Sequence, residues 1–225
     1  MNKKAKIAII LPTLNQGDEL LITAVDPIVK QLRHIEQFII IDNGQQDIKI
    51  NAAKCVTLVT KQNLGVAGSW NLGIKYAFEQ NPDITHVLAC QDDCAFSDTQ
   101  IPEIIDVLSC NPDKWFLVGP YFWSVWAISR EGAAAMEYDK NRIFDDKFFP
   151  AYFEDNDFHW RLRQIDELKY MGSVSIMTPS ICVNSATVKK DPSLNKYFDT
   201  NKAYYLQKWG GEPSREVYTK AFNKQ

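Results

Sequence analysis

Apolar runs and helical patterns alternate along the first half of the chain. Residues 7–11 form a short run, Ile-Ala-Ile-Ile-Leu, that Pro12 stops; 38–41, 56–60 and 86–90 repeat the theme, each leading into a polar turn or loop. Runs this short and β-rich predict buried strands. Between them, 19–32 and the stretch from Gly65 to about residue 80 carry helical patterning, and 98–108 predicts a third helix. The first is entered through Asn15-Gln16-Gly17-Asp18, and the second closes at Asn81-Pro82. Strands alternating with helices specify βαβ units and a mainly parallel α/β sheet. Ligands of such sheets bind at the carboxyl ends of the strands. The polar turns therefore bring Asn15, Asp42, Asn63, Asp92 and Asp93 to one edge.

The second half reads differently. Stretches 114–119 and 122–129 predict strands rich in Trp and Phe around Gly119-Pro120. Residues 148–153 lead into Glu154-Asp155-Asn156-Asp157 and a short helix to about residue 168. A further strand is expected over 174–177, and a helix over 196–208 that ends at Trp209-Gly210-Gly211. No repeat, low-complexity tract or linker divides the 225 residues. The expectation is one domain over 1–225, with a nucleotide-type half to residue 120 and an aromatic-rich half after it.

Composition narrows the function. Lys plus Arg is 25 and Asp plus Glu is 28, a net charge of −3 without the basic surplus that nucleic-acid binding favours. No apolar run approaches the roughly 18 residues that span a bilayer. The run over 7–11 is also too short for the core of a signal peptide, so a soluble, cytoplasmic protein is expected. Five cysteines, an odd number without Cys-x-x-Cys, suggest reduced thiols. His86, Cys90 and Cys94 would share a helix face, but their segment reads as a strand, so no zinc site is expected there. Three histidines and no Gly-x-Ser-x-Gly elbow disfavour a Ser-His-Asp hydrolase. Gly65-Val-Ala-Gly68 matches neither the dinucleotide fingerprint nor the P-loop.

The carboxylates carry the chemistry. Asp92 and Asp93 are adjacent like charges at a strand end, either solvated in a turn or bridged by a divalent ion with oxygen ligands. Glu154 and Asp155 fall at a helix N-terminus, where the dipole favours ionised carboxylates. Such a carboxylate can take a proton from a sugar hydroxyl as its oxygen attacks. Asp157 and Arg161 are four apart and predict a structural pair. The loop Asn63-Leu-Gly65 entering a helix can offer backbone N–H groups to a phosphate. Together these describe a site for a nucleoside diphosphate. With no Lys/Arg cluster near the loops, a bound metal would offset the charge.

In this order and spacing, the motifs resemble those of family-2 nucleotide-sugar glycosyltransferases of the GT-A fold, from Ile7 to about Gly211. Ile-Ile-Leu-Pro-Thr-Leu-Asn15 resembles the family's opening strand, and Ile-Ile-Asp42-Asn-Gly44 its second. Asn63-Leu-Gly65 through Gly68, Asn71 and Ala77 resembles its Asn-x-Gly helix, and Gln91-Asp92-Asp93 its metal motif. Tyr152-Phe-Glu154-Asp155-x-Asp157 with Arg161 resembles its later Glu-Asp motif, and Lys208-Trp-Gly-Gly211 an ending of small members.

The resemblance implies an inverting, metal-dependent hexosyltransferase with a small antiparallel acceptor-side region, residues 121–225 serving the acceptor and catalysis. Asp155, with Glu154 beside it, would deprotonate the acceptor hydroxyl. Asp93 and Asp92 would hold Mn²⁺ or Mg²⁺. Pro12, Thr13, Asn15, Asp42 and Asn63 would hold the nucleoside, with Gly65, Asn71 and Asp92 completing the donor site. The implied donor is a UDP-sugar carrying glucose or galactose, and the acceptor a saccharide or glycoconjugate. Trp123, Trp126 and Tyr152 could stack on sugar rings or pack in the core. The chain departs from the pattern at Cys94, where a third carboxylate would complete a strict acidic motif. Asn184 stands in the region where many relatives place a late His. A nucleotidyltransferase and a non-catalytic carbohydrate-binding relative remain as alternatives.

Overall fold

The alternation of side chains along four apolar strands builds two cores, one on each face of a sheet. The structure is a computed structural model that describes residues 4–15, 18–120, 123–139, 142–182 and 189–224. Strands β1 (Ile7–Thr13), β2 (Gln37–Asp42), β3 (Cys55–Val59) and β4 (His86–Cys90) run parallel. Ile7, Ile9, Leu11, Phe38, Ile40 and Leu88 face one core, while Ala8, Ile10, Ile39, Ile41, Val87 and Ala89 face the other. Both sets are buried, which is why these strands read as continuous apolar runs. Each fully buried Ile or Phe contributes about 1.5–3 kcal/mol.

Helices α1 (Asp18–Lys30) and α3 (Gln100–Cys110) cover the first core. The second is covered by α2 (Gly65–Gln80), α4 (Arg130–Met136) and α5 (Glu154–Asp166). The sheet continues through the second half as β7 (Val125–Ser129), antiparallel to β4, then β6 (Phe116–Val118) and β8 (Tyr170–Met171). The seven-strand order is β3-β2-β1-β4-β7-β6-β8, so both halves of the chain share one sheet. A separate antiparallel pair joins β5 (Cys94–Ala95) to β9 (Ile181–Cys182). Helix α6 (Lys196–Trp209) packs Tyr205 and Trp209 against Phe148 and Phe153 and stops at Gly210, whose φ is +74°.

Several elements differ from expectation. Residues 174–177 form no strand: Ser175–Met177 is a 3-10 turn, with the Met177 amide donating to the Val174 carbonyl at 2.9 Å. This turn packs so closely on Gly119 that a Cβ there would lie 2.5 Å from the Met177 oxygen. The strands expected over 114–119 and 122–129 are shorter, and Phe122 lies outside the described residues, as do Gln16 and Gly17 of the first turn. The sequence reading did not include β5, β8, β9 or α4. The last of these is capped by Ser129, whose hydroxyl accepts from the Gly132 amide at 2.9 Å.

Candidate active site

The carboxyl ends of the parallel strands open into a cleft of about 460 Å³. Pro12 and Thr13 from β1 and Asp92 and Asp93 from the turn after β4 line it. Trp123, Tyr152, Glu154 and Asp155 from the second half line the same cleft, as do Asn63 and Gly65. Gly65 is required by geometry: its φ is +70°, and a Cβ would lie 2.7 Å from the Pro150 oxygen. That oxygen accepts from the Val66 amide at 2.7 Å, docking the loop before α5 onto the first turn of α2.

Asp92 and Asp93 are both buried, a costly position for two adjacent carboxylates. Hard oxygen donors at this edge suit Mg²⁺ or Mn²⁺. The next residue changes the donor set. The Cys94 thiol lies 3.4 Å from Asp93 Oδ1 and 2.7 Å from Cys182 Sγ. Among the described residues, Asp93, Cys94 and Cys182 bring three ligand atoms within 4.8 Å of one another. Burial, the Cys182 contact and the Asp93 charge all push the Cys94 thiol up, so without an ion it is protonated.

Glu154 and Asp155 open α5, so both stand in its first turn. They are delivered by Tyr152 and Phe153, both left-handed at φ of +83° and +73°. Two consecutive non-glycine residues in that region store strain, which is characteristic of functional loops. Burial and the neighbouring Asp155 hold the Glu154 carboxyl well above the usual range, and Glu154 Oε2 has no hydrogen-bond partner among the described residues. Burial also raises Asp155, although the Asn156 amide, 2.8 Å from Asp155 Oδ1, opposes the shift.

Other predicted residues have different positions. Asp42 is fully buried and accepts from the Gly44 and Gln46 amides at 3.0 and 2.7 Å, shaping the turn after β2 rather than lining the cleft. Asn15 is exposed and packs against that turn, where a Cβ on Gly44 would meet its Oδ1. Asn71 points away: its Oδ1 accepts from the Ile143 and Phe144 amides, and its Nδ2 donates to the Phe144 carbonyl. Trp126 is a core residue, 1% exposed and edge-on to Trp70, whereas Trp123 and Tyr152 face the cleft. Asp157 pairs with Arg161 at 2.9 Å. Asn184 lies outside the described residues.

The sequence reading missed Asn43, which lines the cleft beside Asp42, and Leu194 and Phe198, which close it from α6 and the turn before it. The Asn43 signal was present in the Asp42-Asn43-Gly44 turn. Nothing local marks Leu194 or Phe198.

The family profile described as glycosyl transferase family 2 matches residues 8–167. No curated protein matches the chain. Among solved structures, the mannosyltransferase PcManGT of Pyrobaculum calidifontis, in complex with GDP-Man and Mn²⁺, is 11% identical with a TM-score of 0.60. The match covers 91% of this chain and 62% of that one. S. aureus TarS residues 1–349 match at 15% identity and a TM-score of 0.41, over 50% of this chain and 34% of that one. The chain thus spans about a third of the TarS fragment and less than two thirds of PcManGT. Among the described residues, no helix is long and apolar enough to cross a membrane.

Proposed function

Because the chain belongs to glycosyl transferase family 2, we propose that it moves a hexose, with inversion, from a nucleoside-diphosphate sugar to a hydroxyl of a saccharide or glycoconjugate. One observation carries this reading: acidic pairs from distant stretches, Asp92 with Asp93 and Glu154 with Asp155, line the same cleft. Pro12, Thr13 and Asn63 receive the nucleoside, and Asp42 and Asn15 shape the turn beside it. The Gly65 loop offers the start of α2 to phosphate. Asp93, with Asp92, would hold Mn²⁺ or Mg²⁺, and that ion would supply Lewis-acid stabilisation of the departing diphosphate. Asp155 takes the proton of the acceptor hydroxyl as its oxygen bonds to the anomeric carbon and the bond from that carbon to the diphosphate oxygen breaks, releasing the nucleoside diphosphate. Trp123 and Tyr152 supply flat surfaces for sugar rings. Residues 1–120 serve the donor, and 121–225 serve the acceptor and catalysis, as parts of one domain.

The donor is a UDP-hexose in this reading, and the GDP-Man held by PcManGT places GDP-mannose beside it in the test. A thermal-shift panel of UDP-, GDP- and dTDP-sugars, with and without Mn²⁺, identifies the donor, since bound ligand stabilises the fold by RT ln(1 + [L]/Kd). Nucleotide release from that donor with an acceptor present, lost in Asp155→Asn while binding persists, is the expected result. Binding without turnover across the panel would instead favour a carbohydrate-binding protein.

A further inference from the structure

We propose that Asp93, Cys94 and Cys182 form a binding site for a thiophilic divalent ion of the zinc class, set in the wall of the donor cleft. Three observations converge on it. Cys94 and Cys182 are direct partners in the antiparallel β5–β9 pair, so the backbone itself delivers one sulfur to the other. Their Sγ atoms lie 2.7 Å apart, and the Cys94 sulfur also reaches Asp93 Oδ1 at 3.4 Å. All three donor atoms fall within 4.8 Å of one another, although Cys182 is 88 residues from Cys94.

The donor set decides the class of ion. Mg²⁺ and Mn²⁺ prefer oxygen, whereas thiolates select zinc and its chemical relatives. Two sulfurs and one carboxylate give three protein ligands and leave a fourth position for water or a ligand oxygen. Zinc–sulfur bonds of about 2.3 Å in a tetrahedron place the sulfurs roughly 3.8 Å apart, so they separate by about 1 Å as the ion enters. Cys182 is the side that can move: it is half-buried, in a two-residue strand whose other member, Ile181, is exposed. The Ser124 hydroxyl, 3.6 Å from Cys182 Sγ, supplies an outer hydrogen bond to that sulfur. The two thiol protons leave to solvent as the metal–sulfur bonds form.

The site stands on these three residues alone, but its consequence for transfer rests on the function proposed above. A zinc-class ion held beside sulfur draws the Asp93 carboxylate away from the Mn²⁺ or Mg²⁺ of the donor complex. Zinc therefore competes with the working cation and lowers turnover.

Cobalt(II) tests the site directly. The reduced full chain, kept in a phosphine reductant, is titrated with Co²⁺, and the near-ultraviolet thiolate-to-cobalt charge-transfer band is followed. The expected result is a band that saturates at one equivalent, disappears on adding Zn²⁺ and survives a hundredfold excess of Mg²⁺. Cys182→Ser and Cys94→Ser each lose most of its intensity, while Cys110→Ser, at an exposed thiol outside the cluster, keeps it. Circular dichroism confirms that each variant is folded, and Cys182→Ala stands in if the serine variant is not. No band at one equivalent, or a band that persists in folded Cys182 and Cys94 variants, overturns the site. This readout uses no sugar donor, so its failure is distinct from a failure to release nucleotide.

Discussion

The Lys208 ammonium lies 2.5 Å from Asp157 Oδ1, fastening the last turn of α6 to the helix that begins with Glu154 and Asp155. The same ammonium reaches Asp145 Oδ2 at 2.6 Å, and the Trp209 indole donates to Asp157 Oδ1 at 2.9 Å. Burial pushes the Asp145 carboxyl up, but Lys208, with the Lys147 amide and Tyr138, outweighs it and holds that carboxyl below its ordinary value. All three charged side chains are nearly sealed from water. Removing the cation takes the ion-pair partner from the buried Asp145 and leaves Asp157 with Arg161 alone, and breaking a buried pair costs about 3–5 kcal/mol. Lys208→Met should lose that much in urea denaturation at neutral pH, and a loss under about 1 kcal/mol would contradict the assignment.

Asn71 offers a second test, because its side chain replaces backbone partners that 143–144 lack in their irregular loop. Asn71→Ala deprives the Ile143 and Phe144 amides of their shared acceptor and the Phe144 carbonyl of its donor. Each buried group left unsatisfied costs about 1–3 kcal/mol. The variant should melt at a lower temperature yet bind donor as tightly as the parent well below the transition. A selective loss of donor affinity without a change in melting would reverse this reading.

The same residue shows how far the sequence could be read. β1, β2 and β4 were legible because burial on both faces leaves an unbroken apolar signature, as in Phe38-Ile-Ile-Ile41, while the edge strand β3 showed through its β-favouring residues. The acidic pairs stood out because adjacent like charges repel unless solvated or bridged, and the structure adds that both pairs line one cleft. Asn71 and Lys208 were not, since what each touches lies 72 to 73 residues away for one and 51 to 63 for the other. At 174–177, β-favouring side chains yielded to docking on Gly119, and Ser173 before them is left-handed at φ +54°. β5 and β9, two residues each, are too short to leave a periodic pattern.

His86 makes stability fall in acid. Its imidazole is buried, its Nε2 has no hydrogen-bond partner among the described residues, and burial lowers its pKa from 6.5 to about 4. A depressed histidine favours the unfolded chain wherever only that chain is protonated, so stability declines as pH falls through 6.5 towards 4. At about 1.4 kcal/mol per pKa unit, the loss approaches about 3 kcal/mol. His86→Gln should flatten the dependence of unfolding free energy on pH across that window. An unchanged slope would show that the ring is solvated.

Glu154 acts in the opposite direction. Its folded carboxyl is raised, so the native state holds the proton more tightly than the unfolded chain. The resulting destabilisation is absent below the unfolded value and grows as pH rises past it. Glu154→Gln, which mimics the protonated form, should therefore be more stable than the parent at pH 8 and nearly equal to it at pH 4. Equal gains at both pH values would remove ionisation as the cause.

Asp155 can accept a proton only when ionised, and burial raises its carboxyl above the ordinary value near 3.8. The acid limb of kcat/KM, which reports essential groups of the free enzyme, should therefore have its midpoint above that value, with activity rising as pH increases through it. Asp155→Asn keeps the size of the side chain but cannot take the acceptor proton, and loss of a positioned base typically costs 10²–10⁴-fold. Donor binding, measured by thermal shift with saturating Mn²⁺, should survive, because Pro12, Thr13 and Asn63 are untouched. If the Asn variant turned over within tenfold of the parent, or if the limb stayed at the ordinary value, the proton would have to leave by another group in the cleft. Glu154, the neighbour with the more strongly raised carboxyl, would be the first to examine.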